Sequence, residues 1–319
     1  MFNIFDKITG LFKKNAYGIY ISDKQIQVIE VNKKSKEITS ISQKELPQGV
    51  VNNGEIVEEK ALGEAIKSLM KEAKPRPIKT SKIFVSIPED QVYEHVFFLP
   101  STLSGTEFEK EIQKQIEERI PLPFYEIKYD YFVTPHGNVK VTFVTMVKKE
   151  IIAQYYQTLK DFVGIVPVCL EPESISLIRN INYDFSKDEG TVLIEIEGKE
   201  LNYWVLWNSN IFDSNTLTLE DKNTYSQFLI ELPKSLLNLE NHTGRKVTNV
   251  LISGTNSTVE NLKSEIENNL KLPVQLAEYK LLPTGVENPE NYKTICGLSQ
   301  KGLSENIKTQ INLLKKNGS

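Results

Sequence analysis

One pattern constrains this chain more than any other, because it is written twice. Three segments with period-two alternation, a helix-period segment and a further strand occur near the N-terminus and again after residue 190. In the first copy, Tyr17 to Ile21, Ile26 to Val31 and Glu37 to Lys44 read as strands, with a turn at Ser22-Asp23-Lys24-Gln25. Residues 58–73 set Ala61, Leu62, Ala65, Ile66, Leu69 and Met70 at helical spacing. Lys74-Pro75-Arg76-Pro77 then ends the helix, and Lys82 to Ile87 is the next strand. In the second copy, Thr191 to Ile196, Leu201 to Trp207 and Ile211 to Leu219 precede a helix near 223–241, a strand Val247 to Ile252 and a helix near 256–269. Between the copies lies a unit of different rhythm. It has a strand Val92 to Leu99, a helix over 105–119, two strands (Ile127 to Val133 and Val139 to Val147) and a helix over 149–163.

This predicts an α/β chain of two βββαβα halves with an inserted α+β subdomain. The boundaries expected are 1–16 for an N-terminal amphipathic segment, 17–80 with 164–185 for the first half, 81–163 for the insert, 186–303 for the second half, and 304–319 for a tail. A length of 319 residues suits such a division better than one core. The formal net charge of −4 speaks against a general nucleic-acid binder. No stretch approaches the ~18 apolar residues that span a bilayer, so a soluble, cytoplasmic chain is expected. Cys169 and Cys296 sit among apolar neighbours and read as buried thiols.

Common enzyme signatures are missing. His95, His136 and His242 stand far apart and there is no Cys-x-x-Cys, so no metal site is expected. No two glycines are closer than Gly49 and Gly54 or Gly297 and Gly302, which excludes a Gly-x-Gly-x-x-Gly turn and a Walker-type loop.

The duplicated order resembles the actin-like ATPase fold. Within it the chain is similar to the PilM family, actin-like proteins of type IV pilus assembly related to the cell-division protein FtsA. The carriers are Gly18-Ile19-Tyr20-Ile21 with Ile26 to Val31, Leu46-Pro47-Gln48-Gly49-Val50-Val51, Gly54-Glu55-Ile56, Val85 to Val92 and Leu99-Pro100. More specific are Glu117-Glu118-Arg119-Ile120-Pro121-Leu122-Pro123 and Leu170-Glu171-Pro172-Glu173-Ser174. The family keeps an Asp-Ile-Gly phosphate turn in each half. Here the first is replaced by Tyr20-Ile21-Ser22 with Lys24 in the loop, and the second by Glu195-Ile196-Glu197-Gly198-Lys199-Glu200. Alternation sets Glu195 and Glu197 on one face, where two like charges oppose a triphosphate. The adenosine turn survives as Ser253-Gly254-Thr255. The helical fourth subdomain has no room between the third strand and the helix of the second half. The expectation is therefore a vestigial cleft (Tyr20, Ser22, Lys24, Glu195, Glu197, Gly254), no ATP or other cofactor, and no catalysis. The alternative is a degenerate ATP site with Glu195 as metal ligand.

By resemblance the chain is a scaffold at the inner face of the cytoplasmic membrane, holding the cytoplasmic tail of a PilN-like membrane protein between the first half and the insert. The residues expected to line that groove are Phe97, Phe98 and Leu99 with Ile120, Pro121, Leu122 and Pro123, or else these are ordinary core. Two alternatives stand beside this reading: an actin-like ATPase with unusual ligands, and a platform component of type II secretion. At the N-terminus Phe2, Phe5, Ile8 and Phe12 share a helical face with Lys7, Lys13 and Lys14 nearby, which fits an interfacial anchor or a docked helix. At the other end, Ile311-Asn312-Leu313-Leu314 resembles the start of PilN-family tails. That tail is expected to mimic the ligand in its own chain or a neighbouring one, or else to pack on its own domain or be the remnant of a fused partner gene.

Overall fold

The computed structural model describes residues 15–197, 200–218, 222–254, 257–303 and 311–315, with backbone alone at 197, 222–226 and 257–261. The amphipathic segment at residues 2–14 lies outside them.

The first half opens with strands β1 (Asn15–Ile21), β2 (Gln25–Asn32) and β3 (Ile38–Glu45), a short hairpin of β4 (Val51–Asn52) and β5 (Glu55–Ile56), and helix α1 (Glu59–Glu72). β6 (Lys82–Ile87) follows. The chain then leaves for β7 (Tyr93–Pro100), α2 (Gly105–Arg119), β8 (Ile127–His136) and β9 (Val139–Lys148). It returns through α3 (Lys149–Gln157), a wide turn to Val163, β10 (Val166–Pro172) and α4 (Glu173–Asn180). The second half runs β11 (Gly190–Glu197), β12 (Glu200–Trp207), β13 (Asn210–Thr218), α5 (Lys222–Thr243), β14 (Val247–Ser253), α6 (Ser257–Leu270), β15 (Val274–Leu276) and α7 (Lys293–Lys301).

The duplication is one of topology. The first sheet has the order β10-β6-β1-β2-β3, and the second has β15-β14-β11-β12-β13, with the same alternation of parallel and antiparallel pairs. Even an irregularity is shared. Tyr20 pairs with Gln27 and Glu195 with Asn202, and in both copies a bulge follows at the same distance, between Glu30 and Val31 and between Val205 and Leu206. A bulge sharpens local twist, so the two sheets coil alike.

Each sheet is covered on both faces, which is why β1, β2, β11 and β12 are buried almost throughout. On one face of the first sheet, Ile19, Ile21, Ile83, Val85 and Leu170 meet Leu62, Ile66 and Leu69 of α1 and Tyr155 of α3. On the other, Tyr20, Ile29 and Val31 meet Ile295 and Cys296 of α7. α7 reaches back from the second half and crosses α4 so closely that a Cβ at Gly297 would stand 1.8 Å from the Ser176 carbonyl oxygen. No residue but glycine fits that crossing.

The insert is smaller than 81–163. β6 lies inside the first sheet, and α3 packs on its core through Ile151, Ile152 and Tyr155. What stands apart is 93–148: the sheet β7-β9-β8 with α2 on one face, closed by Phe108, Ile112 and Ile116. Strand alternation misses that boundary because β6 and β7 are both apolar strands and the short turn between them, Glu89–Gln91, belongs to neither sheet.

Candidate functional site

Two edge strands face each other across the junction of the first half and the insert. β10 ends the first sheet and β8 ends the insert sheet, so each leaves one side of its ladder unpaired. Residues 311–315 of the same chain fill the space between them. Ile311 and Leu313 have no exposed surface and join the main core beside Phe143, Val147 and Leu170. Leu314 is half-buried.

The polar contacts of this segment are directional. The Leu313 N–H donates to the Leu170 carbonyl (2.9 Å), as an added strand would. The Asn312 carboxamide then takes the place of a peptide group. Its Oδ1 accepts the Leu170 N–H (3.3 Å) and its Nδ2 donates to the Val168 carbonyl (3.1 Å). The same Oδ1 accepts the Leu314 N–H (3.1 Å), which bends the segment into a tight turn. Aspartate lacks the donor and glutamine is longer by a methylene, so asparagine fits this edge as its homologues do not. From the insert, Asp130 Oδ2 accepts the Asn312 N–H (2.7 Å) and pairs with Lys315 Nζ (3.5 Å), and Lys128 Nζ donates to the Lys315 carbonyl. From α7, Lys301 Nζ donates to the Ile311 carbonyl.

Lys301 is wholly buried, and what makes that tolerable is Glu171. This carboxylate, also wholly buried, takes a bidentate pair from Arg179 (2.6 and 2.9 Å), a bond from Ser176 Oγ (2.6 Å) and the Lys301 ammonium. Burial alone would raise its pKa, but the two cations outweigh burial and hold it down at about 2. Nearby, burial pushes the Cys169 thiol up to about 11, so it stays protonated.

The seven residues expected to line a partner groove do not line the space that residues 311–315 fill. Phe97, Leu99 and Ile120 are core of the insert, because alternation turns Phe97 and Leu99 toward α2. Phe98 points the other way and stacks on His242 (ring centroids 4.5 Å apart) and against Phe212 of the second half. Leu122 packs on the insert core, while Pro121 and Pro123 are exposed at the turn that leads into β8. Sequence reasoning misses the residues that hold this segment, Lys128, Asp130, Val168, Leu170 and Lys301. A signal exists in β8, where Lys128 and Asp130 share a strand face with Phe132. Ile311, Asn312, Leu313 and Leu314, by contrast, stand out in the sequence and are found together.

Of the residues expected to form a vestigial cleft, Tyr20 and Glu195 lie against the same helix, α7, through Ile295 with Cys296 and through Lys293. Tyr20 is nearly buried against Ile295 and Cys296. Ser22 closes the β1–β2 turn through Gln25, and Lys24 is exposed. Asp23, in the same turn, has its carboxylate committed to the N–H groups of Asn53 (2.6 Å) and Gly54 (2.9 Å). Glu195 is 7% exposed and ion-paired to Lys293 Nζ at 2.8 Å. α7 thus supplies a cation beside Glu195 that the spacing of Glu195 and Glu197 does not reveal. The backbone of Glu197 pairs with Glu200, and Gly254 follows β14, whose Ser253 hydroxyl meets the Tyr279 hydroxyl at 2.7 Å. Among the described residues, no group of three His, Cys, Asp or Glu side chains is placed to hold a metal ion.

The sequence of residues 18–188 matches the family model described as type IV pilus assembly protein PilM. Among curated proteins nothing matches. Among solved structures, the chain is similar to one described as the PilM-PilN type IV pilus biogenesis complex, at 17% identity and TM-score 0.72, covering 91% of this chain and 98% of that one. It is also similar to the cytoplasmic domain of EpsL, an inner-membrane component of the type II secretion system of Vibrio cholerae, at 14% identity and TM-score 0.53 (94% and 98% covered). A protein of unknown function with an actin-like ATPase fold from Bacteroides thetaiotaomicron matches at 11% identity and TM-score 0.52 (93% and 98% covered). At these identities the structural likenesses establish the actin-like fold.

Proposed function

The chain belongs to the PilM family of type IV pilus assembly proteins, and from that premise we propose that it is a cytoplasmic scaffold of the pilus assembly platform. In this reading it sits at the inner face of the cytoplasmic membrane, and the groove between β8 and β10 receives the tail of a PilN-like membrane protein. One observation carries the reading: the groove already holds a peptide segment, residues 311–315, by contacts that any chain of like sequence can make. A sheet edge gives main-chain affinity, and the flanking pockets give side-chain specificity. The named partner of the similar PilM structure is PilN, which supports a PilN-like occupant. A type II secretion role has less support, since the family match is to pilus assembly.

The cleft is read as a site without ATP turnover. Lys293 and Glu195 neutralise each other there, and a phosphate or a metal would have to break that buried pair. Tyr20 and Asp23 are held by other contacts.

The test is co-purification. The PilN-like protein encoded in the same genome should be retained by this chain from detergent-solubilised membranes, and an Asp130→Ala variant should lose it. Retention undiminished by Asp130→Ala would remove the groove from the interaction.

A further inference from the structure

We propose that residues 311–315 are an intramolecular occupant of the groove, and that they must leave before a separate peptide can enter. The inference rests on the partner reading above and adds regulation to that site.

The segment is bound as a ligand is bound. It belongs to no strand or helix. Its hydrogen bonds to the body run to Leu170 and Val168 on β10, to Lys128 and Asp130 on β8, and to Lys301 at the end of α7. Neither sheet needs it: β10 keeps its ladder to β6, and β8 keeps its ladder to β9 over ten paired residues. The groups it covers also suit departure. Asp130, Lys128 and Lys301 are charged, so water can take over their contacts, and Lys301 retains Glu171 in either state. Departure also uncovers the apolar surface that Ile311 and Leu313 cover, and a separate peptide with apolar residues at those places would cover it again.

The tether favours closure. Residues 304–310 are all that separate the segment from Leu303, and a short linker gives an effective concentration in the millimolar range. A groove filled nine-tenths of the time weakens a competing ligand about tenfold, and one filled about 99% of the time about a hundredfold. The occupant is read by its asparagine, which bonds both a donor and an acceptor of the β10 edge, with an apolar residue on each side.

The experiment uses the full chain and a fluorescein-labelled peptide of residues 309–316, titrated by anisotropy. Leu313→Asp should eject the tethered copy, so this variant should bind the peptide at least about tenfold more tightly than the wild type. Adding Asp130→Ala to that variant should abolish the gain. Should Leu313→Asp lose its cooperative melt, Asn312→Ala is measured in its place. Failure of both variants to fold would make the segment integral core and overturn the proposal, as would equal affinity in wild type and variant. A wild-type dimer that Leu313→Asp dissolves would put the segment in a neighbouring copy, also against the proposal. A second arm repeats the titration with a peptide of the PilN-like cytoplasmic tail. Equal binding to wild type and variant would overturn self-occlusion and leave the partner reading standing. Binding to neither, with the tenfold gain for the chain's own peptide intact, would overturn the partner reading and leave self-occlusion standing.

Discussion

Glu171 joins three cations or donors from two helices, and it is the residue through which α4 and α7 are locked behind the groove. Replacing it with Gln removes one charge but leaves Lys301 without exposed surface and Arg179 largely covered. Breaking a buried pair from one side typically costs about 3–5 kcal/mol, so Glu171→Gln should lower the denaturation midpoint sharply in urea. Its pH dependence has a definite sign. A carboxyl at about 2 in the folded chain against 4.5 when free adds stability above pH 4.5, and that stability is lost as pH falls toward 2. The acid limb of the wild-type melting curve should therefore flatten in Glu171→Gln. Asn312 is the second residue with a role no neighbour can take. Asn312→Asp keeps the acceptor, loses the donor to Val168 and sets a second carboxylate beside Asp130, whereas Asn312→Ala loses the bonds without adding charge. Asn312→Asp should be the more destabilising of the two in thermal melts, and the reverse order would contradict the assigned geometry.

The helix crossing of α4 on α7 depends on one missing methyl group. A Cβ at Gly297 would stand 1.8 Å from a backbone carbonyl oxygen, and a carbonyl in a helix cannot step aside. Overpacking usually costs about 1–3 kcal/mol and more against rigid backbone, so Gly297→Ala should lower the melting midpoint by several degrees or prevent folding. A variant that melts like the wild type would mean that the helices cross further apart. At this scale the sequence is informative wherever periodicity is the signal. The six strands of the two βββ openings and helices α1, α2 and α5 follow from alternation and 3.6-residue spacing, because each element buries one stripe or face against a neighbour. β10, an apolar stretch without alternation, and the eight-residue α4 emerge only as family motifs. The groove is illegible for a different reason. It is assembled from elements far apart in sequence, and its selective contact is a side-chain amide imitating a strand, which leaves no periodic trace. The segment can be found because Ile311, Leu313 and Leu314 form an apolar cluster among polar residues on both sides.

Across the whole molecule, the two halves and the insert meet at an acidic junction. Glu89 precedes β7, Glu94 lies on it, and with Trp204 and Ser214 of the second half they line a cavity of about 270 Å³. Burial, against bonds from Ser174 and reinforced by Glu195 and Asp90, raises the Glu89 carboxyl to about 7, and burial beside Glu89 raises Glu94 as well. The sign is opposite to that of Glu171. A folded-state pKa raised from 4.5 gives stability that is complete below pH 4.5 and disappears as pH rises through about 7. The melting temperature should fall between about pH 5 and pH 8, and the double variant Glu89→Gln, Glu94→Gln should remove most of that slope. Nucleotide gives a second test at this scale. A ligand at about a hundred times its Kd adds about 2.7 kcal/mol. ATP with magnesium should leave the melting temperature unchanged if the Glu195–Lys293 pair keeps the cleft closed to phosphate, and a saturable rise would restore the ATPase reading.

A partner of this PilM-family chain that enters between β8 and β10 must displace residues 311–315. Hydrogen–deuterium exchange of the full chain with and without the PilN-like tail peptide tests it most directly, since Leu170 and Leu313 are bonded to each other through their main chains. Amides of 127–136 and 166–172 should stay protected or gain protection on saturation, while those of 311–315 should exchange faster. Peptide-induced protection confined to other strands, with 311–315 unchanged, would contradict it.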